Sequence, residues 1–562
     1  MMPLAKTLGL FLCLLVPILG AQGRQVIHWT DVDEAELGRH DAGLVAMGDL
    51  DGDKVPDYAA ATVRSSTNPS LWGVVELRSG VDGHLLRRFS GSTTQKDFGT
   101  AIARVGDFDN DGLPDLAISS PDSPYGSDLT PGPGEVQVFS TGTGKELLKV
   151  LGTGRRFGQA LAGIDDVDGD KVPDLVVGAF VTSSASTGAG LLVSGKTGKT
   201  LVTYAQPSGF TNYGKLVAVL PDIDKDGVQD VVVGSNPVFN NPQFRVYSGK
   251  TGGTIIDVGG ESPSYGVVTA LRVLPDLDAD GKADLAFGIP DAGGSYSALI
   301  GEVRVYSTGT AKQLFRFQTP NPSFANSDFG AAIEWLPDQD GDGKPDIIVG
   351  DPLANASGAL SGAVHVFSTK DGSLLKTIHP PFPSLAALGM GATLATLGDV
   401  DGNGTTDFVT ACNRPVAVAT VKNTLMCVSP VALDIGAEAH AVSLFHGGRQ
   451  ELQVHAGSKR AGSLVLMLGT ASGTSPGLPV GSETLFLNAD SYFSFTLAAP
   501  LAVLWNNLSV LDANGDGGVG FVLPTGLPPS LGGTVLHHSA LFLAPGKLDV
   551  ANCAVRLELR KF

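Results

Sequence analysis

A nine-residue acidic pattern, D-x-D-x-D-x-x-x-D, occurs seven times between Asp49 and Asp407. The carboxylates at positions 1, 3, 5 and 9 are Asp49, Asp51, Asp53 and Asp57 in the first copy and Asp107, Asp109, Asp111 and Asp115 in the second. The third has Asp166, Asp168, Asp170 and Asp174; the fourth has Asp222, Asp224, Asp226 and Asp230. The fifth has Asp276, Asp278, Asp280 and Asp284; the sixth has Asp338, Asp340, Asp342 and Asp346. The seventh has Asp399, Asp401, Asn403 and Asp407, with one amide in place of a carboxylate. Hard oxygen donors at alternate positions of a tight turn suit calcium, which takes six to eight oxygens at about 2.3–2.6 Å. The spacing predicts three side chains pointing into one hollow, a position-9 Asp closing the shell, and a backbone carbonyl from position 7. Those carbonyls belong to Val55, Leu113, Val172, Val228, Lys282, Lys344 and Thr405. Turn-tolerant residues at position 4 or 6, among them Gly52, Asn110, Gly169, Gly227, Gly281, Gly341 and Gly402, permit the bend. Without a cation, carboxylates packed this closely are expected to repel one another and titrate above their usual range.

One such loop alone is often only a solvated acidic turn; seven in phase are not. Their starts are separated by 58, 59, 56, 54, 62 and 61 residues, which marks a repeat architecture. Net charge agrees with this reading. Seven divalent ions would bring the formal charge of −19 to −5, so no basic partner is needed to explain the acidity. The loops are not EF-hands, which place a bidentate Glu at position 12 between helices.

The elements around the loops are strands. Runs such as Ala101 to Val105 and Leu216 to Leu220 precede them; Leu175 to Val177, Val231 to Val233 and Ile347 to Val349 follow. The first six repeats then carry a third strand, a turn and a fourth strand. The turns run from Ser79 to Gly83, Ser140 to Gly144, Ser194 to Gly198, Ser248 to Gly252, Ser307 to Ala311 and Ser368 to Gly372. Alternating segments such as Glu135 to Phe139 are expected to be half-exposed outer strands. A single four-stranded sheet cannot bury both its faces, but radial stacking of seven such sheets into a β-propeller can.

Two further motifs recur. Phe98-Gly99, Phe157-Gly158, Tyr213-Gly214, Tyr265-Gly266 and Phe329-Gly330 open most repeats. Gly178-Ala179-Phe180, Gly288-Ile289-Pro290 and Gly350-Asp351-Pro352 follow the acidic loops. Together with those loops they resemble the FG-GAP repeat of integrin α-chain N-terminal propellers and their bacterial relatives, over roughly residues 25–430. The resemblance implies seven blades, calcium in hairpin loops on one face and partner contacts on the opposite face. It also implies ring closure by an N-terminal strand, for which Val26 to Trp29 is the candidate; the alternative is that Thr424 to Val428 completes blade seven unaided. The chain departs from integrins in having an acidic loop in every repeat and no leg or transmembrane region.

The rest of the chain sets the context. Lys6, the apolar run Leu8 to Leu19 and the small residues Gly20 to Gly23 read as a secretory signal over residues 1–23, too short to span a bilayer. No later segment is long and apolar enough to be a transmembrane helix, so a soluble protein, exported to the cell surface or beyond, is expected. Cys13 leaves with the signal. Cys412 and Cys427 either pair across two strands or stay as buried thiols, with Cys553 as the odd one. Residues 24–432 are expected to form the propeller and 433–562 a C-terminal β-sandwich, with strands including Ser463 to Leu468, Tyr492 to Thr496 and Ala554 to Leu559. Asp512 to Asp516 looks like half an acidic loop, but Gly520 stands at position 9, so a hairpin turn is expected.

Apparent catalytic signals fail. Gly473 to Gly477 fits G-x-S-x-G but has Pro and more strand where a helix should follow. Gly195 to Thr200 lacks the first glycine of a phosphate loop and recurs as a hairpin turn. His537 and His538 face opposite ways on a strand. Basic patches for nucleic acid are absent. The expectation is a non-enzymatic scaffold with up to seven structural Ca²⁺ ions, binding an extracellular protein or glycan on the face opposite the calcium loops, as in cell adhesion. Loops at Pro121 to Pro133, Phe180 to Gly190, Asn236 to Pro242 and Asp291 to Ile300, with Tyr125, Phe180, Phe239 and Tyr296, would build that face. The competing expectation is a propeller that carries or assists an enzyme acting on polysaccharide or phospholipid.

Overall fold

The structure is a computed structural model. In the repeat region it describes residues 26–32, 43–62, 73–81, 83–92, 97–121, 134–152, 156–179, 188–235, 243–259, 267–290, 292, 301–320, 328–354, 361–380, 389–400, 405–412 and 423–430. Beyond that it describes 435–437, 441–443, 448–456, 460–472, 477–480, 483–485, 487–498, 504–505, 508–513, 516–523, 530, 534–544, 547–551 and 555–560.

Seven four-stranded antiparallel sheets follow one another along the chain. Blade one is Leu44–Gly48, Asp57–Thr62, Val74–Arg78 and Leu85–Ser90, paired in that order. The same up-and-down meander repeats over 102–151, 157–205, 213–259, 270–318 and 333–378. Blade seven takes three strands, Met390–Gly398, Asp407–Cys412 and Asn423–Val428, and adds Val26–Val32 from the N-terminal end as its outermost strand. The register places Trp29 opposite Met426 and Thr30 opposite Leu425. The N-terminal segment therefore closes the ring, which settles the alternative left open by the sequence.

Packing shows the same closure. The repeat region has seven apolar clusters, and each is shared by two neighbouring blades. Leu116 and Ile118 pack with Val75 and Phe89 between blades one and two, and Val364 and Ile378 pack with Leu394 and Phe408 between six and seven. The cluster joining seven to one holds Val409, Leu425 and Cys427 against Leu44 and Tyr58. Each second strand is sandwiched on both faces, so it reads as a continuous apolar run: Asp230–Ser235 and Asp346–Asp351 are buried throughout. Third strands of blades one, two, five and six are more buried than their alternation suggests, whereas those of blades three and four keep it. Val136 and Val138 are buried, and Gln137 between them is buried too, its amide donating to Glu146. Half-exposure belongs to the fourth strands, such as Leu85–Ser90 and Gln313–Gln318.

The two glycine motifs meet across blade boundaries. A Cβ on Gly178 would lie 2.2 Å from the carbonyl oxygen of Gly214 in the next blade. On Gly350 it would lie 1.9 Å from that of Gly391. Blades approach here backbone to backbone, which only glycine allows. Gly391 also shows that blade seven has its own opening motif, Met390-Gly391, with φ of +94° like Gly330 at +93°. Sequence reading missed it because Met replaces the aromatic residue.

Of the two alternatives for Cys412 and Cys427, the bridge has no support in the register. Cys412 faces Thr424 and Cys427 faces Val409, three positions apart along the ladder. At about 3.4 Å per residue that offset is too long for a disulfide.

After residue 434 the described residues form two sheets, of four and six strands, and a two-stranded ribbon. One expected strand is a helix: Ser491–Ala498. Asp490 decides this, because its Oδ1 accepts the Phe493 N–H at 2.7 Å and its carbonyl accepts the Ser494 N–H at 2.9 Å, capping the first turn. The aromatic-polar alternation of Tyr492 to Thr496 fits either structure. Leu508–Val510 and Asp516–Leu523 pair into different sheets, so the Asp512 segment links two sheets and is not a hairpin turn.

Candidate metal centres

All seven acidic loops occupy the same place: each joins the first strand of a blade to the second, whose first residue is the position-9 Asp. Loop and blade numbers therefore coincide. Loops one to six are described in full; residues 401–404 of loop seven, including Asp401 and Asn403, lie outside the described residues.

The backbone folds around position 1. In loop one, Asp49 Oδ1 accepts the N–H groups of Gly52 at 2.7 Å and Asp53 at 3.1 Å, and its Oδ2 accepts that of Lys54 at 2.9 Å. Asp166, Asp222 and Asp338 repeat this pattern. Position 3 accepts from the N–H of position 5, and position 5 from that of position 7, as in Asp51 with Asp53 at 3.1 Å and Asp53 with Val55 at 2.9 Å. The bend needs left-handed backbone, and Gly52 at +84°, Lys54 at +71° and Asn110 at +59° adopt it.

Position 9 is different. Asp57, Asp115, Asp174, Asp230, Asp284, Asp346 and Asp407 are all 0 % exposed. Each sends Oδ2 to the N–H of position 2, for example Leu50 at 2.7 Å and Leu277 at 2.8 Å. In blades one to four Oδ1 takes an N–H from the turn between the third and fourth strands, at Gly80, Thr141, Gly195 and Gly249. In Asp284 and Asp346 Oδ1 is buried with no partner. A buried carboxylate oxygen without a donor is costly and calls for a cation or an ordered water.

Carboxylates converge as a cation requires. One oxygen each from Asp107, Asp109 and Asp115 lies within 4.8 Å of the other two, and the same holds for Asp166, Asp168 and Asp174, for Asp222, Asp224 and Asp230, and for Asp276, Asp278 and Asp284. In loop one the group is Asp49, Asp51 and Asp53. The donor set is all oxygen and anionic, so these residues fit a divalent cation. In loops two to five the group holds positions 1, 3 and 9.

Titration follows burial. Desolvation pushes Asp57, Asp115, Asp174, Asp230 and Asp346 up to about 6 and Asp284 to about 7, with neighbouring aspartates adding to the shift. The expectation of four raised carboxylates per loop is corrected at position 1. The Lys171 N–H, with those of Gly169 and Asp170, holds Asp166 below the usual range; the Gly343 N–H does the same for Asp338. At Asp166 and Asp338 the amide donors outweigh the upward pull of desolvation.

Sequence reading saw the turns from Ser194, Ser248, Ser307 and Ser368 only as hairpin connections. In the structure each of these hydroxyls reaches the position-5 Asp of its own loop, at 3.5, 2.8, 3.2 and 3.3 Å. The Ser-x-x-x-Gly recurrence was the available signal. Tyr125, Phe180, Phe239 and Tyr296, and most of the loops proposed for the ligand face, lie outside the described residues.

A model of the FG-GAP repeat family matches residues 98–139, which span the opening of blade two, its acidic loop and its third strand. Phosphatidylinositol-glycan-specific phospholipase D of Bos taurus is 29% identical over 166 residues, covering 26% of this chain and 19% of that protein. Integrin alpha-4 of Xenopus laevis is 32% identical over 163 residues, covering 27% of this chain and 15% of that protein. The alignments thus span less than a fifth of either relative's own length. A solved structure of the Dos1 propeller aligns over 72% of this chain and 95% of its own at 10% identity, with a TM-score of 0.41. The blade count rests on the seven sheets and seven shared cores described above.

Proposed function

We propose that this chain, an FG-GAP repeat β-propeller related to integrin alpha chains and to glycan-specific phospholipase D, is a secreted, calcium-loaded scaffold that binds an extracellular protein or glycan and has no catalytic activity of its own. The observation that carries the reading is the buried position-9 aspartate, repeated in every blade and, in blades two to five, converging with two further carboxylates. Calcium is the ion that chemistry favours: the donors are hard, anionic and numerous, and the shell is built on a flexible loop. Metal here acts structurally. It neutralises carboxylates that the fold buries, and it holds the first two strands of each blade together. No helix among the described residues is long and apolar enough to cross a membrane.

The ligand belongs on the rim opposite the acidic loops, where the connections between second and third strands are long. A glycan and matrix-protein array, run in calcium and again in chelator, tests this. Binding that needs calcium supports the scaffold reading; no binding to any protein or glycan in either condition counts against it. A second reading, an accessory to lipid or polysaccharide hydrolysis, draws on the phospholipase D similarity. Calcium-dependent release of product from phosphatidylinositol glycan or a polysaccharide panel would replace the first reading with the second.

A further inference from the structure

We propose that the turn between the third and fourth strands is the second arm of the metal sites in blades three to six, with its serine as the positioning residue for the position-5 carboxylate. The inference rests on the reading of the acidic loops as calcium sites. Blade four shows the geometry best. Asp226 Oδ1 accepts the Val228 N–H at 3.0 Å within the loop, and Oδ2 accepts the Ser248 hydroxyl at 2.8 Å, 22 residues away. Ser248 Oγ in turn accepts the Thr251 N–H at 3.1 Å. That bond occupies an oxygen lone pair and leaves the single hydroxyl hydrogen for the carboxylate. Both oxygens of Asp226 are thereby held, and each keeps lone-pair capacity for a cation.

The arrangement recurs where local chance would not repeat it. Ser307 donates to Asp280 and accepts from Thr310; Ser368 donates to Asp342 and accepts from Lys370. A second tie exists in blades three and four, where Lys196 and Lys250 donate Nζ to the carbonyls of Asp170 and Asp226 at 3.3 and 2.7 Å. Contact is close even without side chains: a Cβ on Gly309 would lie 1.8 Å from Asp280 Oδ2, and one on Gly142 2.3 Å from Asp111 Oδ2. The converging triads of loops two to five hold positions 1, 3 and 9, and in blades three to five the position-5 carboxylate is instead tied to the turn serine. Partners of this kind behind a metal ligand set its orientation, and their loss typically weakens binding roughly 10- to 100-fold. The turn thus ties occupancy of the metal loop to order in the outer hairpin of the same blade.

The test follows amide exchange of the full chain against free Ca²⁺, reading each acidic loop separately by mass spectrometry. In Ser248→Ala the protection midpoint of residues 223–229 should move to roughly 10-fold or more higher Ca²⁺, while the non-adjacent loops one, two and six keep their midpoints and report an intact fold. Ser248→Thr, which keeps the hydroxyl, should restore the midpoint to within about threefold, and residues 249–253 should gain protection in step with the loop. A midpoint unchanged in Ser248→Ala, with exchange faster by the same factor in calcium and in chelator, would make the serine a structural turn residue and overturn the inference alone. Wild-type loops that do not respond to Ca²⁺ at all would overturn the calcium reading beneath it as well.

Discussion

Replacing Asp284 by Asn should stabilise the metal-free protein and cancel loop five's share of stabilisation by calcium. Asp284 is 0 % exposed, its Oδ2 accepts the Leu277 N–H at 2.8 Å, and its Oδ1 has no partner. Burial raises its pKa from 3.8 to about 7, and Asp278, Asp276 and Asp280 add to the rise against the Leu277 bond. A folded-state value above the unfolded one means the fold favours the protonated form. Stability is then greatest below the unfolded pKa and falls as pH rises through the folded one. At pH 8 in chelator, a rise of about three units at ~1.4 kcal/mol each sets a cost on the order of 4 kcal/mol for the ionised side chain. Asn keeps an oxygen for the Leu277 N–H and turns an NH₂ toward Asp276 and Asp278. The variant should therefore gain about 2–4 kcal/mol in EDTA at pH 8, read from urea denaturation midpoints. Calcium reverses the comparison. Wild type gains about 2.7 kcal/mol from one site at 100 times its Kd and about 4.1 at 1,000 times, which the variant forgoes. Its advantage should shrink by those amounts. A variant that is less stable than wild type in EDTA, or whose effect is the same with and without calcium, refutes the reasoning: Asp284 would then be an ordinary buried hydrogen-bond acceptor.

Other expectations follow from the same geometry. Metal-free protein should melt at higher temperature at pH 5 than at pH 8, because the five position-9 aspartates raised to about 6 regain protons there; with saturating calcium the order should invert as protons compete for the ligands. Scanning calorimetry at the two pH values, in EDTA and in calcium, reads both. Gly350→Ala should cost about 3 kcal/mol, since its Cβ meets the Gly391 carbonyl at 1.9 Å, whereas Gly209→Ala, at φ +88° with nothing within 4 Å, should cost only about 1 kcal/mol. Equal losses in urea titrations would argue against the backbone contact between blades. Removing the strand Val26–Val32 should leave the edge of Asn423–Val428 unpaired and produce oligomers on size-exclusion chromatography; a stable monomer of unchanged Tm would show the ring does not need it.

Much of the ring was legible because its chemistry sits in short, repeated words. The aspartates fixed the loops, and loop spacing with flanking β-branched runs fixed the strands. What escaped the sequence was contact between distant residues. Nothing local says that Gly350 meets Gly391, or that Ser248 reaches Asp226. Gln137 looked exposed on an alternating strand because its partner Glu146 lies across the next turn. Tyr492 to Thr496 read as strand because eight residues are too few for a helical period to show, and the cap at Asp490 lies outside the pattern. Met390-Gly391 went unseen because the conserved physical demand there is a buried side chain followed by left-handed backbone, which Met meets as well as Phe.

An acidic loop in every blade makes sense once neighbouring loops are seen to touch. Gln229 of loop four accepts the N–H of Asp165 just before loop three at 2.9 Å, and Lys344 of loop six donates to the Leu277 carbonyl of loop five at 3.0 Å. Pro173 of loop three fills the space a Cβ on Gly106 would need, 2.5 Å away, just before loop two. At the seam, Pro56 of loop one takes up the same position against Gly398 before loop seven, at 3.4 Å from a Cβ placed there. At these four of the seven boundaries a loop therefore rests on the one before it. A cation that stiffens one loop also fixes the surface on which the next one sits. An open repeat array tolerates atypical end units, because they have only one neighbour. A closed ring has no ends, so a single slack loop would loosen two blade contacts. On this argument cations held in the loops would act on the blade interfaces as much as on their own hairpins, and stripping one loop should raise amide exchange in the loop that rests on it.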